Sequence, residues 1–496
     1  MRRRSLARSV AILSLSLVVS VHSATPGVDA PPPAQPPRPI AVPAFERHQL
    51  PNGQTLVLAP RRGTPIVSLA LLVRAGPELD PPGRAGTAAM TAGLLTKGAR
   101  RGGRVVEATE LARQAEALGA SLDSGSGWRS TTLSMTVTTP RLAAAAALMA
   151  DVLQRPLLAA DELERARAQS LDGLRVTLGD PAQVASMAAR RAFWGDTAYG
   201  RLVSPGSLAR LTREDVTAFH AAWYRPERTV LVLAGDIESE AARELTAKLF
   251  GAWQPKGAAP PQPEPAAPSP LPEPLLLIDM PGTGQSAVVV DAPFVPTGAP
   301  DRRIGQVANA VLGGGYSARL NQEVRIKRGL SYGAFSQAET HPHAGMAHAE
   351  TQTNHPTAAQ VLQLMRGEMQ RLAEAPPSTE ELAARQATLV GSFARRLETT
   401  GGLASLAISQ LVQGRPLEEL GRTVDEVMAV TPEQVQAFAK AHWKPGTLRG
   451  VIAGDLKAAG DSLAPLLAAD APGGPARRFG LEALDLDRPT LQRETR

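Results

Sequence analysis

The 496-residue chain contains no cysteine. That single absence excludes disulfides, Cys-ligated zinc, iron–sulfur clusters, thiol nucleophiles and a lipoprotein anchor. Aromatic residues are scarce, at 4%, with only four tyrosines and five tryptophans. Histidine numbers eight, and none lies between His48 and His220. No apolar run is long enough to span a bilayer comfortably; the run Val10–Val21 is too short. What is present is a globular composition, 43% apolar and 20% charged, with 44 glycines and 43 prolines available for turns and linkers. Length alone suggests about three domains.

The formal charge of +6 invites a nucleic-acid or membrane reading, but its distribution removes that support. Arg2, Arg3, Arg4 and Arg8 precede the run Val10–Val21, and small residues follow at Ser23 and Ala24. A charged head, a short apolar stretch and a small-residue end form a secretory signal peptide. Residues 1–24 are therefore expected to be cleaved. Losing four arginines and no acid leaves +2, so no nucleic-acid partner is expected. No stable membrane span is expected after cleavage. The expected location is periplasmic or secreted.

Two proline-rich stretches divide the rest, a lead-in at 25–44 and a linker at 255–274. They bracket a first half, 45–254, and a second half, 275–480, followed by a tail, 481–496. The halves are related. Leu211–Asp236 and Val430–Asp455 align without a gap at an offset of 219, and Ala-Phe, Pro and Ala-Gly-Asp recur in place. Each copy reads as an N-capped amphipathic helix, an aromatic-x-Pro turn and a buried strand ending in Gly-Asp. The patterns predict strands within 54–74, over 131–138, 286–292 and 345–352. They predict helices over 86–96, 106–118, 141–153, 160–178, 303–312, 358–372 and 379–397. The expected class is α+β, with duplicated mixed-sheet units, helices packed on one face, and two related halves joined by a linker.

Three segments carry this order with more specific motifs: Phe45–Pro60, Gly83–Ala99 and Val311–Ser336. Together they resemble the pitrilysin-like (M16) zinc peptidase superfamily, the inverted-motif peptidases that include mitochondrial processing peptidase and its bacterial relatives. The resemblance covers most of 45–480. Active members carry His-x-x-Glu-His between two glycines spaced as Gly86 and Gly98 are. Two histidines four apart on one helical face hold Zn²⁺, and the glutamate between them is the general base for the metal-bound water. Here those places are Ala89, Ala92 and Gly93. The distal glutamate ligand's place is Gly173, and a second acidic position falls on Ala166. None can bind a metal, so no cofactor is expected in this chain.

The second half keeps Arg325 and Tyr332 in R-x-x-x-G-L-S-Y. In heterodimeric bacterial relatives, the subunit without zinc ligands carries this pair and directs it at the substrate on the partner's zinc. The resemblance thus implies a non-catalytic, substrate-binding subunit of a zinc metallopeptidase. It would have no activity alone. Its partner would be a His-x-x-Glu-His-bearing homologue that holds zinc, and its substrate a peptide or unfolded polypeptide. Gly313, Gly314 and Gly315 read as a helix-end turn or as a flexible substrate-binding loop near that peptide. Residues 119–132 correspond to the segment that leads into a substrate-pairing edge strand, and read equally well as an ordinary loop. The bland alternative is a solvated Arg325 with Tyr332 packed in a strand; at the level of function it is a non-proteolytic structural or peptide-binding protein of the same fold. His341, His343 and His348 read as a polar turn between two strands in preference to a metal cluster. Gly329–Gly333 matches Gly-x-Ser-x-Gly without the strand-then-helix setting that a nucleophile elbow needs.

Overall fold

The structure is a computed structural model, and it describes residues 40–255, 257–261, 267–468, 470–471 and 474–493. The expected signal peptide, all but the last few residues of the lead-in, part of the linker and the last three residues of the tail lie outside these. The chain divides at Ile40, and both related halves belong to the unit that starts at Ala41.

Strands β1 (Glu46–Gln49), β2 (Thr55–Pro60) and β3 (Ile66–Val73) open the first half. A hairpin of β4 (Gly98–Arg101) and β5 (Arg104–Glu107) stands apart. Then come β6 (Asp123–Gly127), β7 (Ser130–Thr138) and β8 (Thr229–Gly235). The second half holds β9 (Leu275–Asp279), β10 (Ser286–Phe294), β11 (Ala334–Thr340), β12 (Gly345–Thr353), β13 (Arg449–Gly454) and β14 (Arg477–Gly480). The two six-stranded sheets run β1-β2-β8-β3-β7-β6 and β11-β12-β10-β13-β9-β14. Read from opposite ends, the five inner and far-edge strands correspond. In both sheets the strand that ends in Gly-Asp pairs in parallel with the half's opening central strand, β8 with β2 and β13 with β9. The outermost strands differ: β1 is antiparallel to its neighbour, whereas β14, at the end of the second half, is parallel.

The repeated helix is Arg213–Trp223 in one half and Pro432–His442 in the other. Thr212 and Thr431 close reciprocal capping boxes with Asp215 and Gln434, which satisfies orphan N–H groups at both helix starts. The predicted 106–118 helix is shorter, Ala108–Glu116, because Val105 and Val106 belong to β5.

The helices Pro181–Trp194 and Thr400–Val412 sit at equivalent positions of the repeat, and the sequence patterns left both without assignment. Each packs across the halves: the first against β10 and β13, the second against β3 and β8. Val184, Ala185, Ala188 and Ala189 lie on one helical face and are fully buried with Leu276, Ile278, Ala287, Val289, Val451 and Ala453. Thr400 hydrogen-bonds Ser68 of β3, Oγ1 to Oγ 2.8 Å. Each sheet therefore has its own half's helices on one face and a helix from the other half on the opposite face. This explains why the central strands are buried along nearly their whole length, where an ordinary half-covered strand would alternate.

Candidate functional site

The helix that bears the family's metal positions, Thr87–Leu95, is intact. Its start is held by Asp80, whose carboxylate accepts from the backbone N–H of Gly86 (2.7 Å) and of Ala88 (2.7 Å). Burial pushes the Asp80 carboxyl up to about 6, against those two hydrogen bonds and the nearby Arg201 charge. The glycine frame has a backbone cause that needs no metal. Gly86 has φ +101° and Gly98 φ +123°, and a Cβ at Gly98 would come within 2.7 Å of Leu157 and 2.9 Å of the Val106 carbonyl. Ala89 and Gly93 are exposed on this helix, and Ala92 is buried. The helix packs against Ala160–Gly179, which carries Gly173. A Cβ at Gly93 or Gly173 would meet nothing within 4 Å. Open space lies at these two positions and no ligand side chain occupies it, so the residues present do not fit a zinc ion. Among the described residues, no three His, Asp or Glu come together as a metal site. The histidines of 341–348 diverge. His341 is buried and stacks on Tyr199 at 4.0 Å, while His348 pairs with Asp291.

The retained pair lies in the second half, after the helix Arg302–Gly313. Residues Gln322–Ile326 form a single π turn, an uncommon geometry that is frequent at functional sites. Arg325 occupies this turn with its guanidinium between two aromatic rings, 4.6 Å from the Tyr332 centroid and 4.9 Å from that of Tyr316. No hydrogen bond or ion pair holds the Arg325 side chain among the described residues, although neighbours are paired: Lys327 and Arg328 with Glu323, and Arg319 with Glu381. Tyr332 precedes β11 and is 89% exposed; Tyr316 is 57% exposed. A strand-packed Tyr332 is thereby ruled out. Two of the chain's four tyrosines thus flank one unpaired arginine at the surface. Arg325 keeps all five N–H donors free and held in place by stacking.

Two residues of this arrangement were missed from the sequence. One is Tyr316. The other is Asn321, which is fully buried. Its side-chain NH₂ donates to the Tyr316 carbonyl (2.6 Å), and its oxygen accepts from Ala334 N–H (3.2 Å). It ties the loop before the π turn to the strand after it, and so sets both rings about Arg325. The only advance signal was the rarity of tyrosine.

Gly313 and Gly314 have a packing role. A Cβ on Gly313 would approach Ser336 N at 2.4 Å, and one on Gly314 would approach Ala310 Cα at 2.6 Å. The helix end thus sits directly on β11. The three glycines line a cavity of about 330 Å³ with Phe335, Gln337, His348 and Glu350. In its wall His348 Nδ1 lies 2.6 Å from Asp291 and Nε2 lies 3.4 Å from Glu350. Ser186, on the exchanged helix Pro181–Trp194, donates to Glu350 at 3.3 Å. Burial alone would lower His348; the Asp291 and Glu350 carboxylates overcome it and push it up to about 10. A histidine raised from its ordinary 6.5 stabilises the folded state fully below that value. The contribution is lost as pH rises from about 6.5 through about 10. The melting temperature is expected to fall across that window, and Asp291→Asn should flatten the dependence while moving the His348 NMR titration down toward neutrality. Ser331, the serine of Gly-x-Ser-x-Gly, lies in the loop before β11 with its Oγ buried and without a partner, so no nucleophile elbow exists there.

A duplicated sheet-and-helix fold, with an alanine and glycine metal helix and no acidic distal ligand, defines a peptidase-like chain whose family metal positions carry no ligand side chain. Two family descriptions match in tandem: Insulinase (Peptidase family M16) over residues 56–204 and Peptidase M16 inactive domain over 210–389. The chain belongs to the M16 peptidase family, and its family metal positions carry no ligand side chain. It is 26% identical over 407 residues to an uncharacterized zinc protease of Streptomyces coelicolor, covering 79% of this chain and 86% of that one. It is 23% identical over 310 residues to the non-peptidase homolog YmxG of Helicobacter pylori, covering 62% and 71%. Among solved structures it is similar to a peptidase M16 inactive domain from Pseudomonas fluorescens. There the TM-score is 0.75 at 25% identity, over 83% of this chain and 98% of that one. A protease from Helicobacter pylori shares the fold, with a TM-score of 0.77 at 19% identity, over 84% and 100%. Among the described residues, no helix is long and apolar enough to cross a membrane.

Proposed function

We propose that this chain is the substrate-binding subunit of an exported, heterodimeric M16 zinc peptidase, paired with a homologue that carries His-x-x-Glu-His and holds the zinc. The observation that carries this reading is the contrast between its two halves. Every metal position lacks a ligand side chain, while Arg325 is half-buried, unpaired among the described residues and stacked on two exposed tyrosines. An arginine so placed with no carboxylate partner among the described residues is organised to meet an oxygen on another molecule. Its guanidinium, with the Tyr332 hydroxyl beside it, would donate to a substrate carbonyl, orient it and stabilise negative charge on that oxygen. Zinc bound in the partner would supply the activated water. The free edge of β6 offers the backbone groups to which an extended peptide can pair, which suits the 119–132 segment as a second contact. The export segment supports a location in the periplasm or outside the cell.

The test is co-expression with a His-x-x-Glu-His homologue from the same genome. A stable one-to-one complex that cleaves unstructured peptides, with neither chain active alone and zinc in the partner only, is the expected result. A complex that forms without proteolysis would favour a structural or peptide-binding protein of the same fold. Stoichiometric zinc in this chain alone would overturn the reading.

A further inference from the structure

A second polar feature lies away from Arg325. Where the two halves meet, a cleft of about 1100 Å³ is lined by six arginines: Arg74 and Arg129 from the first half, and Arg302, Arg303, Arg415 and Arg422 from the second. Only two carboxylates, Glu419 and Glu426, line it with them. Glu426 holds Arg303 at 3.0 Å and Arg422 at 3.3 Å, and Glu419 holds Arg415. Arg129 is held from behind by Glu78 at 3.2 Å and donates to the Val412 carbonyl at 3.3 Å.

Arg74 and Arg302 are different. Among the described residues neither guanidinium has a hydrogen-bond or ion-pair partner. Arg302 is only 5% exposed. Arg74 is half-buried and held below its ordinary range by burial and by repulsion from Arg47 and Arg129. A guanidinium taken out of water without a counter-charge is costly, and one such group facing a cavity points to an anion that completes it. Two of them, one from each half and within a surplus of four positive charges, point to a ligand with several negative charges.

The size of the cleft narrows the class. At about 1100 Å³ it exceeds the roughly 300–1,000 Å³ usual for small-molecule pockets. Alongside the arginines it offers apolar wall from Ile304, Leu411 and Val412. Arg129 stands in the turn between β6 and β7, at the end of the edge strand available for backbone pairing. A polypeptide leaving β6 passes this arginine first. We infer that the inter-half cleft binds an acidic segment of extended polypeptide, whose Asp or Glu carboxylates are received by Arg74, Arg302 and Arg129. This rests on the peptide-handling role proposed for the chain and adds the charge of the substrate.

The experiment uses the full chain without any partner and reads binding by fluorescence anisotropy. The probe is a labelled, acetylated peptide of alternating Glu and Ala, compared with its alternating Lys and Ala counterpart. The Glu peptide is expected to bind, with affinity falling at high salt, and the Lys peptide to bind at least tenfold more weakly. Arg302→Gln and Arg74→Gln should each weaken the Glu peptide by about tenfold, the loss of one charge-assisted contact. Arg74 is partly exposed, so its variant keeps the test valid if Arg302→Gln folds poorly; a melting curve on each checks this. Equal binding of the two peptides, or unchanged affinity in both variants, would overturn the inference. So would binding of inorganic tripolyphosphate without binding of the peptide. Because the readout is binding by the lone chain, its failure leaves the Arg325 and Tyr332 reading standing. Failure of the partner assay likewise leaves this one measurable.

Discussion

Arg325→Ala in the assembled complex is expected to lower kcat by about 10²–10³, the usual cost of removing one preorganised donor from a developing oxyanion. Assembly, read by light scattering, should not change, because the Arg325 side chain makes no hydrogen bond or ion pair within the described chain. The loss should fall on kcat more than on KM, since a contact that strengthens as charge builds on the carbonyl oxygen acts in the transition state. Arg325→Lys should not restore the rate. A lysine keeps the charge but not the planar fork that stacks between Tyr316 and Tyr332. Tyr332→Phe keeps the ring that stacks on Arg325 and removes only the hydroxyl, so its smaller loss isolates that second donor. Tyr316→Ala acts through Arg325, and its defect should vanish in an Arg325→Ala background. Wild-type turnover by Arg325→Ala in a confirmed complex would remove the pair from the mechanism.

The second large effect concerns the exchanged helices. Ala188→Asp is expected to destabilise the protein by about 3–5 kcal/mol, the scale of an uncompensated buried charge. Ala188 is 1% exposed and its cluster is made of apolar side chains, among them those of β9, β10 and β13. Ala407 is the equivalent residue of the repeat and is also fully buried. Ala407→Asp should therefore produce a similar loss although it lies on the other helix. Each helix is covalently part of one half and packs on the sheet of the other, so both variants should melt in one transition. A change at Val176, which is 77% exposed, is the control and should stay within about 0.5 kcal/mol. Near-wild-type denaturant midpoints for Ala188→Asp would show that the exchanged packing does not hold the halves together.

The sites that were legible in sequence are those where a residue type alone decides the outcome. Ala89, Ala92, Gly93 and Gly173 cannot ligate a metal in any conformation, and no histidine between His48 and His220 could replace them. The duplication was legible because Thr212 and Thr431, and the Gly-Asp strand ends, impose local backbone geometry that local residues fully specify. The prediction for 106–118 slipped at its start because Val105 and Val106 suit a strand as readily as an amphipathic helix. Hairpin pairing with β4 decided between them.

What the tertiary structure alone decided is which surfaces meet. The helices Pro181–Trp194 and Thr400–Val412 are rich in small apolar residues and show no sharp polar face, so periodicity could say neither where they start nor which sheet they cover. Reciprocal docking between the halves settled both, because two sheets each had a bare apolar face and a helix of the right shape within reach. The same holds for Tyr316 and Asn321, which become part of the Arg325 site only through the π turn and the bridge from Asn321 to β11. It holds as well for the arginines of the inter-half cleft, which are scattered from Arg74 to Arg422 in the chain and converge only when the halves close on each other. By itself the sequence determined which ligand side chains the metal helix lacks; the folded contacts decided which of its remaining side chains stand together.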